Sequence, residues 1–235
     1  ETAAQLSHPN IVPIYSVDER DGIVYFVMAL VEGENLAVRL HQRGALDPEA
    51  ARRILLEVTR ALAYAHERKV VHRDIKPDNI LLQADDGRAM VTDFGIARAV
   101  TEGADARLTA TGMAIGTPAY MSPEQSTGDR EIDGRSDLYS LGVVGYQMLT
   151  GAPPFEANST PALLVKHLSE HPEPIGSRRR GVPADLDRVV LLLLEKDPDH
   201  RFPSAAALAV ALETGDVPAL PVHSVAALPS PSPRH

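Results

Sequence analysis

Apolar residues fall along this chain first in short β-branched and aromatic runs, and then at helical spacing. Residues 11–17 and 23–31 are rich in Val, Ile, Tyr and Phe and flank Asp21-Gly22, which predicts two strands joined by a hairpin turn. An Ala-rich stretch at 1–6, ended by Ser7-His8-Pro9-Asn10, predicts a short helix before them. Helices then dominate. Asp47 is placed to cap a helix with Pro48 at its first position, and Ile54, Val58, Leu62 and Ala65 recur on one face through about His66. Residues 80–82 and 89–92 read as short strands around Asp85-Asp86-Gly87. Ser136 reads as the cap of another helix, with Leu138, Leu141, Gly145 and Met148 on one face. Further helices are expected at 160–169, 184–195 and 204–213. Residues 101–116 lack periodicity and are rich in Thr, Ala and Gly, the pattern of a long loop of the kind that is usually functional or disordered. From Val217 the chain turns rich in Pro, Ala and Ser and reads as a linker.

Composition narrows the classes. With 235 residues and a net charge of −9, the chain is one domain without the basic footprint of a nucleic-acid binder. The basic run Arg178, Arg179 and Arg180 reads as a solvated loop. With no cysteine there is no disulfide or thiolate metal site, and a reducing compartment fits. The longest apolar runs are too short to span a bilayer. A cytoplasmic location is expected, with any membrane anchor lying beyond the Pro-rich tail. The first residue is Glu1, so the start of the natural chain is expected upstream.

The segment His72-Arg73-Asp74-Ile75-Lys76-Pro77-Asp78-Asn79 gathers polar groups between apolar runs. Burying them needs partners or a purpose. An aspartate followed five residues later by an asparagine can bring two oxygens to one site, one to accept a hydroxyl proton and one to hold a metal. Lys76 can put a cation on a phosphate oxygen. Asp93-Phe94-Gly95 follows the strand-like Met90-Val91-Thr92, and a carboxylate at a strand end suits Mg²⁺, a hard cation shared with substrate phosphates. Gly116-Thr117-Pro118-Ala119-Tyr120-Met121-Ser122-Pro123-Glu124 closes the long loop. His72 itself reads as a core histidine bonded to backbone rather than an acid or base.

These motifs, in this order, resemble those of the bacterial eukaryotic-type (Hanks-type) serine/threonine protein kinases over residues 1–213. Ser7-His8-Pro9-Asn10-Ile11-Val12, Val31-Glu32-Gly33-Glu34-Asn35-Leu36, Asp133-Gly134-Arg135-Ser136-Asp137-Leu138-Tyr139-Ser140-Leu141-Gly142 and Lys196-Asp197-Pro198-Asp199-His200-Arg201-Phe202 match as well. Ser122-Pro123-Glu124 stands where Ala-Pro-Glu is usual.

The resemblance implies an α+β protein-kinase-like fold with a mostly helical large lobe at 33–213. A two-strand remnant of the small lobe would lie at 1–32 and a disordered linker at 214–235. It implies ATP, Mg²⁺ and protein Ser/Thr hydroxyls as reactants, with a homodimer as the arrangement for autophosphorylation. Asp74 is then the expected base, with Lys76 on the transferring phosphate and Thr117 bonded near both. Asn79 and Asp93 would hold Mg²⁺. Met28 would be the gatekeeper, Ala29 to Val31 the hinge that reads adenine, and Leu81 the adenine floor. Arg73 would pair with a phosphorylated Thr109 or Thr111. Glu124 and Arg201 would form a buried ion pair, and Asp137 would brace the catalytic loop.

The 235 residues hold no Gly-x-Gly-x-x-Gly and no Val-Ala-x-Lys, and the glutamate that pairs with that lysine would precede residue 1. The chain alone is therefore expected to be inactive. Two other readings compete. One is a pseudokinase-like scaffold, against which the intact Asp74, Asn79 and Asp93 speak. The other is a small-molecule kinase of the aminoglycoside type, which would lack the Gly-Thr-Pro to Pro-Glu segment.

Overall fold

The structure is a computed structural model that describes residues 6–20, 23–94, 117–129 and 132–221. Strands β1 (Ile14–Arg20) and β2 (Ile23–Met28) pair antiparallel, from Ile14 opposite Met28 to Arg20 opposite Ile23. The expected turn at Asp21-Gly22 and residues 1–5 of the helix expected at 1–6 lie outside the described residues. The first strand starts later than 11 because the chain changes sheets there. Ile11 forms a parallel bridge with Val91, and the Val12 N–H donates to the Val91 carbonyl at 2.9 Å. Pro13, with no N–H to give, then separates the two pairings. β2 ends at Met28 rather than 31, and Leu30 is exposed.

A second sheet has the order β3 (Gly33–Asn35), β4 (Ile80–Gln83), β5 (Ala89–Val91), all antiparallel. Gly-Glu-Asn has little strand propensity, and β3 was not expected from it. Tertiary pairing creates it: a Cβ at Gly33 would lie 2.0 Å from the Leu82 carbonyl oxygen, so only glycine allows this approach. Asn35 then ends the strand and caps α1 (Leu36–Arg43), its Oδ1 accepting from the Val38 N–H at 2.8 Å.

Helix α2 (Pro48–Glu67) begins as its sequence requires, with the Asp47 carboxylate accepting from the Glu49 and Ala50 N–H groups. Ile54, Val58, Leu62 and Ala65 are all buried. Among the described residues the remaining α-helices are α3 (Pro123–Thr127), α4 (Gly134–Thr150), α5 (Thr160–Ser169), α6 (Ile175–Arg178), α7 (Ala184–Leu193) and α8 (Ala205–Thr214). α4 is the axis of the core, with α2 and α7 packed against it. It is buried from Ser136 to Tyr146 on every side, not on the single face expected. A Cβ at Gly142 would stand 2.6 Å from Leu193 Cβ, and one at Gly145 3.1 Å from Val190 Cγ2, so these glycines let α7 approach.

Three further expectations need correction. Asp133, not Ser136, caps α4, its side chain accepting from the Arg135 N–H; Ser136 lies inside the first turn and is buried. Arg179 is not simply solvated: its Nη1 donates to the carbonyls of Leu46 and Leu149, tying the end of α6 to the loop before α2 and the end of α4. The chain is still packed where a linker was expected. α8 runs to Thr214, Gly215 ends it with φ 74°, and Val217 is buried with its carbonyl accepting from Arg188. Among the described residues no helix is long and apolar enough to cross a membrane.

Candidate active site

The hairpin of β4 and β5 brings two distant motifs together. Asn79 ends a short 3₁₀ turn (Pro77–Asn79) directly before β4, and Thr92 follows β5. The Thr92 N–H donates to the Asn79 carbonyl at 3.0 Å, so the loop at 72–79 and Asp93 sit side by side. Both Arg73 (φ 68°) and Asp93 (φ 66°) hold the left-handed conformation. For non-glycine residues this costs about 1–2 kcal/mol each, so the surrounding bonds must enforce it.

At Arg73 the enforcement comes from the buried Asp137 of α4. Its Oδ1 accepts from the Arg73 N–H at 2.7 Å and its Oδ2 from the His72 N–H at 2.8 Å. His66 Nε2, from the end of α2, stands 2.8 Å from the same Oδ2. Burial pushes the Asp137 carboxyl up, but the hydrogen bond and charge of His66, with the hydrogen bond from the His72 backbone, outweigh it and hold the group below the usual carboxylate range. The His66 ring lies over Gly134, where a Cβ would come within 2.4 Å of Nδ1. His72 is buried, as expected of a core histidine. Its Nδ1 accepts from the Asp74 N–H at 3.2 Å, so Nε2 carries the proton and donates to the Thr92 carbonyl at 2.8 Å. Its ring meets Phe94 edge to face.

On this frame Asp74, Lys76, Asn79 and Thr117 converge. Lys76 Nζ is 2.8 Å from Asp74 Oδ2 and donates to Thr117 Oγ1 at 3.1 Å. Asn79 Nδ2 donates to the Asp74 carbonyl at 2.9 Å and to Asp74 Oδ2 at 3.2 Å. Asp74 and Lys76 both keep part of their side chains exposed. Arg73, Asp74, Ile75, Thr117, Tyr120 and Met121 line a depression at this point. Leu81 in β4 and Met28 at the end of β2 are partly exposed, and Thr92 Oγ1 reaches Met28 Sδ. Ala29 and Val31 lie in the segment between β2 and β3. Gly95, Thr109 and Thr111 lie outside the described residues.

The segment after Thr117 is anchored from below. Arg201 donates to Glu124 through Nη1 at 2.7 Å and Nη2 at 2.9 Å. Burial raises Glu124, but the Arg201 bonds and charge, with the Ser136 hydroxyl, hold it below the usual carboxylate range. Sequence reasoning expected this pair and the Asp137 brace. It missed His66, which read only as the end of an apolar face, and Gln125, whose side chain reaches the Arg73 carbonyl. The Ser122-x-x-Gln125 spacing was the available signal for Gln125.

Residues 1–211 match the family described as the protein kinase domain, and the chain belongs to the bacterial serine/threonine branch of that family. Among its relatives are the serine/threonine-protein kinase PknB of Mycobacterium tuberculosis, 40% identical over 94% of this chain and 36% of that protein. PknD of the same species is 43% identical over 90% of this chain and 31% of that protein. The chain thus spans about a third of the length of these curated relatives. The crystal structure of the Mycobacterium tuberculosis PknI kinase domain superposes with a TM-score of 0.72 at 29% identity, covering 92% of this chain and 75% of that one.

Proposed function

We propose that this chain is the large-lobe part of an ATP-dependent protein kinase that phosphorylates Ser and Thr hydroxyls. The observation that carries the reading is the Asp74, Lys76, Asn79 and Thr117 cluster, in which residue 117 is bonded to residue 76 across a long loop. Phosphoryl transfer asks little covalent chemistry of the protein and depends on positioning and charge neutralisation. The Asp74 carboxylate, held by Lys76 and Asn79, orients the acceptor hydroxyl and takes its proton. The hydroxyl oxygen then forms its bond to the γ-phosphorus as the bond to the leaving ADP oxygen breaks. Lys76 stands beside Asp74 to neutralise the transferring group, and Thr117 holds the lysine in place.

The donor set fits Mg²⁺. Asn79 spends its Nδ2 on Asp74, which leaves its side-chain oxygen to face a cation, and Asp93 adds a carboxylate. Among the described residues no cluster of three or more His, Cys, Asp or Glu forms a closed cage, and Mg²⁺ prefers few protein oxygens plus phosphates and water. Bound there, it would supply charge neutralisation on the phosphate oxygens. Ala29, Val31 and Leu81 are the adenine contacts in this reading, with 1–32 a small-lobe portion and 33–213 the large lobe.

These 235 residues carry the lower half of the phosphate cage and no glycine-rich loop or partnered lysine. The chain alone is accordingly inactive. The test is a radiolabelled phosphate assay with Mg·ATP on the chain and on a version extended to carry that loop and lysine. Transfer to Ser or Thr by the extended version only is the expected result. Transfer to Tyr, or none by the extended version, overturns the reading.

A further inference from the structure

The Gln125 side chain uses both ends of its amide on different partners. Its Oε1 accepts from the Ser122 N–H at 3.1 Å while the Ser122 Oγ accepts from the Gln125 N–H at 3.2 Å, which closes a capping box at the start of α3. Its Nε2 donates to the Arg73 carbonyl at 2.8 Å. Only one orientation of the amide satisfies both contacts, because Ser122 offers a donor and Arg73 an acceptor.

The capping box does not explain this residue. Glutamate serves a capping box as well as glutamine does. Only glutamine can also donate onward to a carbonyl. The carbonyl it reaches belongs to Arg73, the left-handed residue immediately before Asp74, whose N–H is held on the other side by Asp137. The two peptide groups flanking the Arg73 Cα are thus fastened to two different elements, α4 below and the start of α3 beside it. α3 directly follows the segment that carries Thr117.

We propose that Gln125 is a positioning residue for the catalytic loop, which links the ordering of the segment ending at Glu124 to the backbone that presents Asp74. This rests on the kinase reading of that site. Because the contact is made just past the end of that segment, any rearrangement that shifts Ser122 withdraws the Nε2 donor from Arg73. Among the described residues, the strained backbone at Arg73 is then held by Asp137.

Gln125→Glu separates the two roles, since it keeps the capping box and sets a carboxylate against the Arg73 carbonyl. Gln125→Ala removes both. In the 235-residue chain, amide exchange by NMR reads the Arg73 and Asp74 N–H groups, and a thermal melt reads the cap. In the extended version, steady-state kinetics separates kcat from KM. Gln125→Glu should melt like the wild type, speed exchange at Arg73 and Asp74, and lower kcat about tenfold with KM for ATP unchanged, since small misplacements of reacting groups carry costs of this size. Gln125→Ala should show the same loss plus a lower melting temperature.

Wild-type exchange and kcat in Gln125→Glu would overturn the proposal. So would losses that follow only the melting temperature in both variants, which would reduce Gln125 to a helix cap. If the extended wild type transfers no phosphate, the kinase reading fails. The exchange at Arg73 and Asp74 in the unextended chain then decides the positioning role by itself.

Discussion

Replacing Arg201 with alanine removes every donor of a buried guanidinium. Its side chain is fully buried, and its five N–H groups are all used: two on Glu124, and one each on the carbonyls of Glu195, Arg135 and Lys196. The ring of Tyr139 also lies under it, 4.9 Å from its centre. Without Arg201 the Glu124 carboxylate, 11% exposed, keeps the Ser136 hydroxyl as its side-chain partner among the described residues. Removing one member of a buried pair costs about 3–5 kcal/mol. For a domain of this size each kcal/mol moves the melting temperature by roughly 2–4 °C, so Arg201→Ala should melt about 6–20 °C lower.

Arg201→Lys should recover little, because an ammonium cannot span two carboxylate oxygens and three carbonyls. The loss should not shrink when salt is added, as it would for an exposed pair. Glu124 lies below its ordinary value in the fold, so its contribution is fully present above the usual carboxylate range and is lost as pH falls from that range through the lowered folded value. Thermal unfolding followed by circular dichroism at two salt concentrations checks all of this. A drop under about 2 °C for Arg201→Ala, or a full rescue by lysine, would refute the reasoning.

Two other sites give expectations of the same kind. Burial, and then the charge of Lys196, pushes the buried His167 from 6.5 down to about 4. The unfolded chain therefore binds the proton more tightly, and stability is lost as pH falls from about 6.5 to about 4, by roughly 3 kcal/mol at full extent. Urea unfolding across that window should show this slope, and His167→Gln should flatten it; an unchanged slope in the variant would assign the acid loss elsewhere. Gly142→Ala forces a methyl to within 2.6 Å of Leu193 Cβ between two buried helices, which should cost about 1–3 kcal/mol by overpacking. An unaltered melting temperature would mean that α7 yields freely.

What was legible in the sequence was local. The segment from His72 to Asn79 carries its chemistry within eight residues, and Asp47-Pro48 announces a helix from two. The Asp137 brace and the Glu124–Arg201 pair were expected through resemblance, although their partners are far apart in sequence, and the structure places both. Illegible features depended on what lies opposite. β3 exists because β4 pairs with it and Gly33 lets the backbones meet, not because Gly-Glu-Asn favours a strand. Asp133 rather than Ser136 caps α4 because the helix starts earlier than its apolar pattern, with Gly134 left bare for the His66 ring. Arg179 looked like one of three solvated arginines, and only the carbonyls of Leu46 and Leu149 distinguish it. Gln125 likewise declares its capping box locally, while its bond to Arg73 spans 52 positions.

The central claim is that Asp74, held between Lys76 and Asn79, acts as the base for phosphoryl transfer to a hydroxyl. Asp74→Asn in the extended version, compared with the wild type by rate of radiolabel transfer from ATP to a Ser/Thr peptide, tests it most directly. Positioned bases contribute about 10²–10⁴-fold in rate, so a loss of that size is predicted. The helical circular dichroism should be unchanged, because the Asp74 side chain is partly exposed and the loop is anchored by Asp137. Near-wild-type transfer by the folded variant would contradict the account.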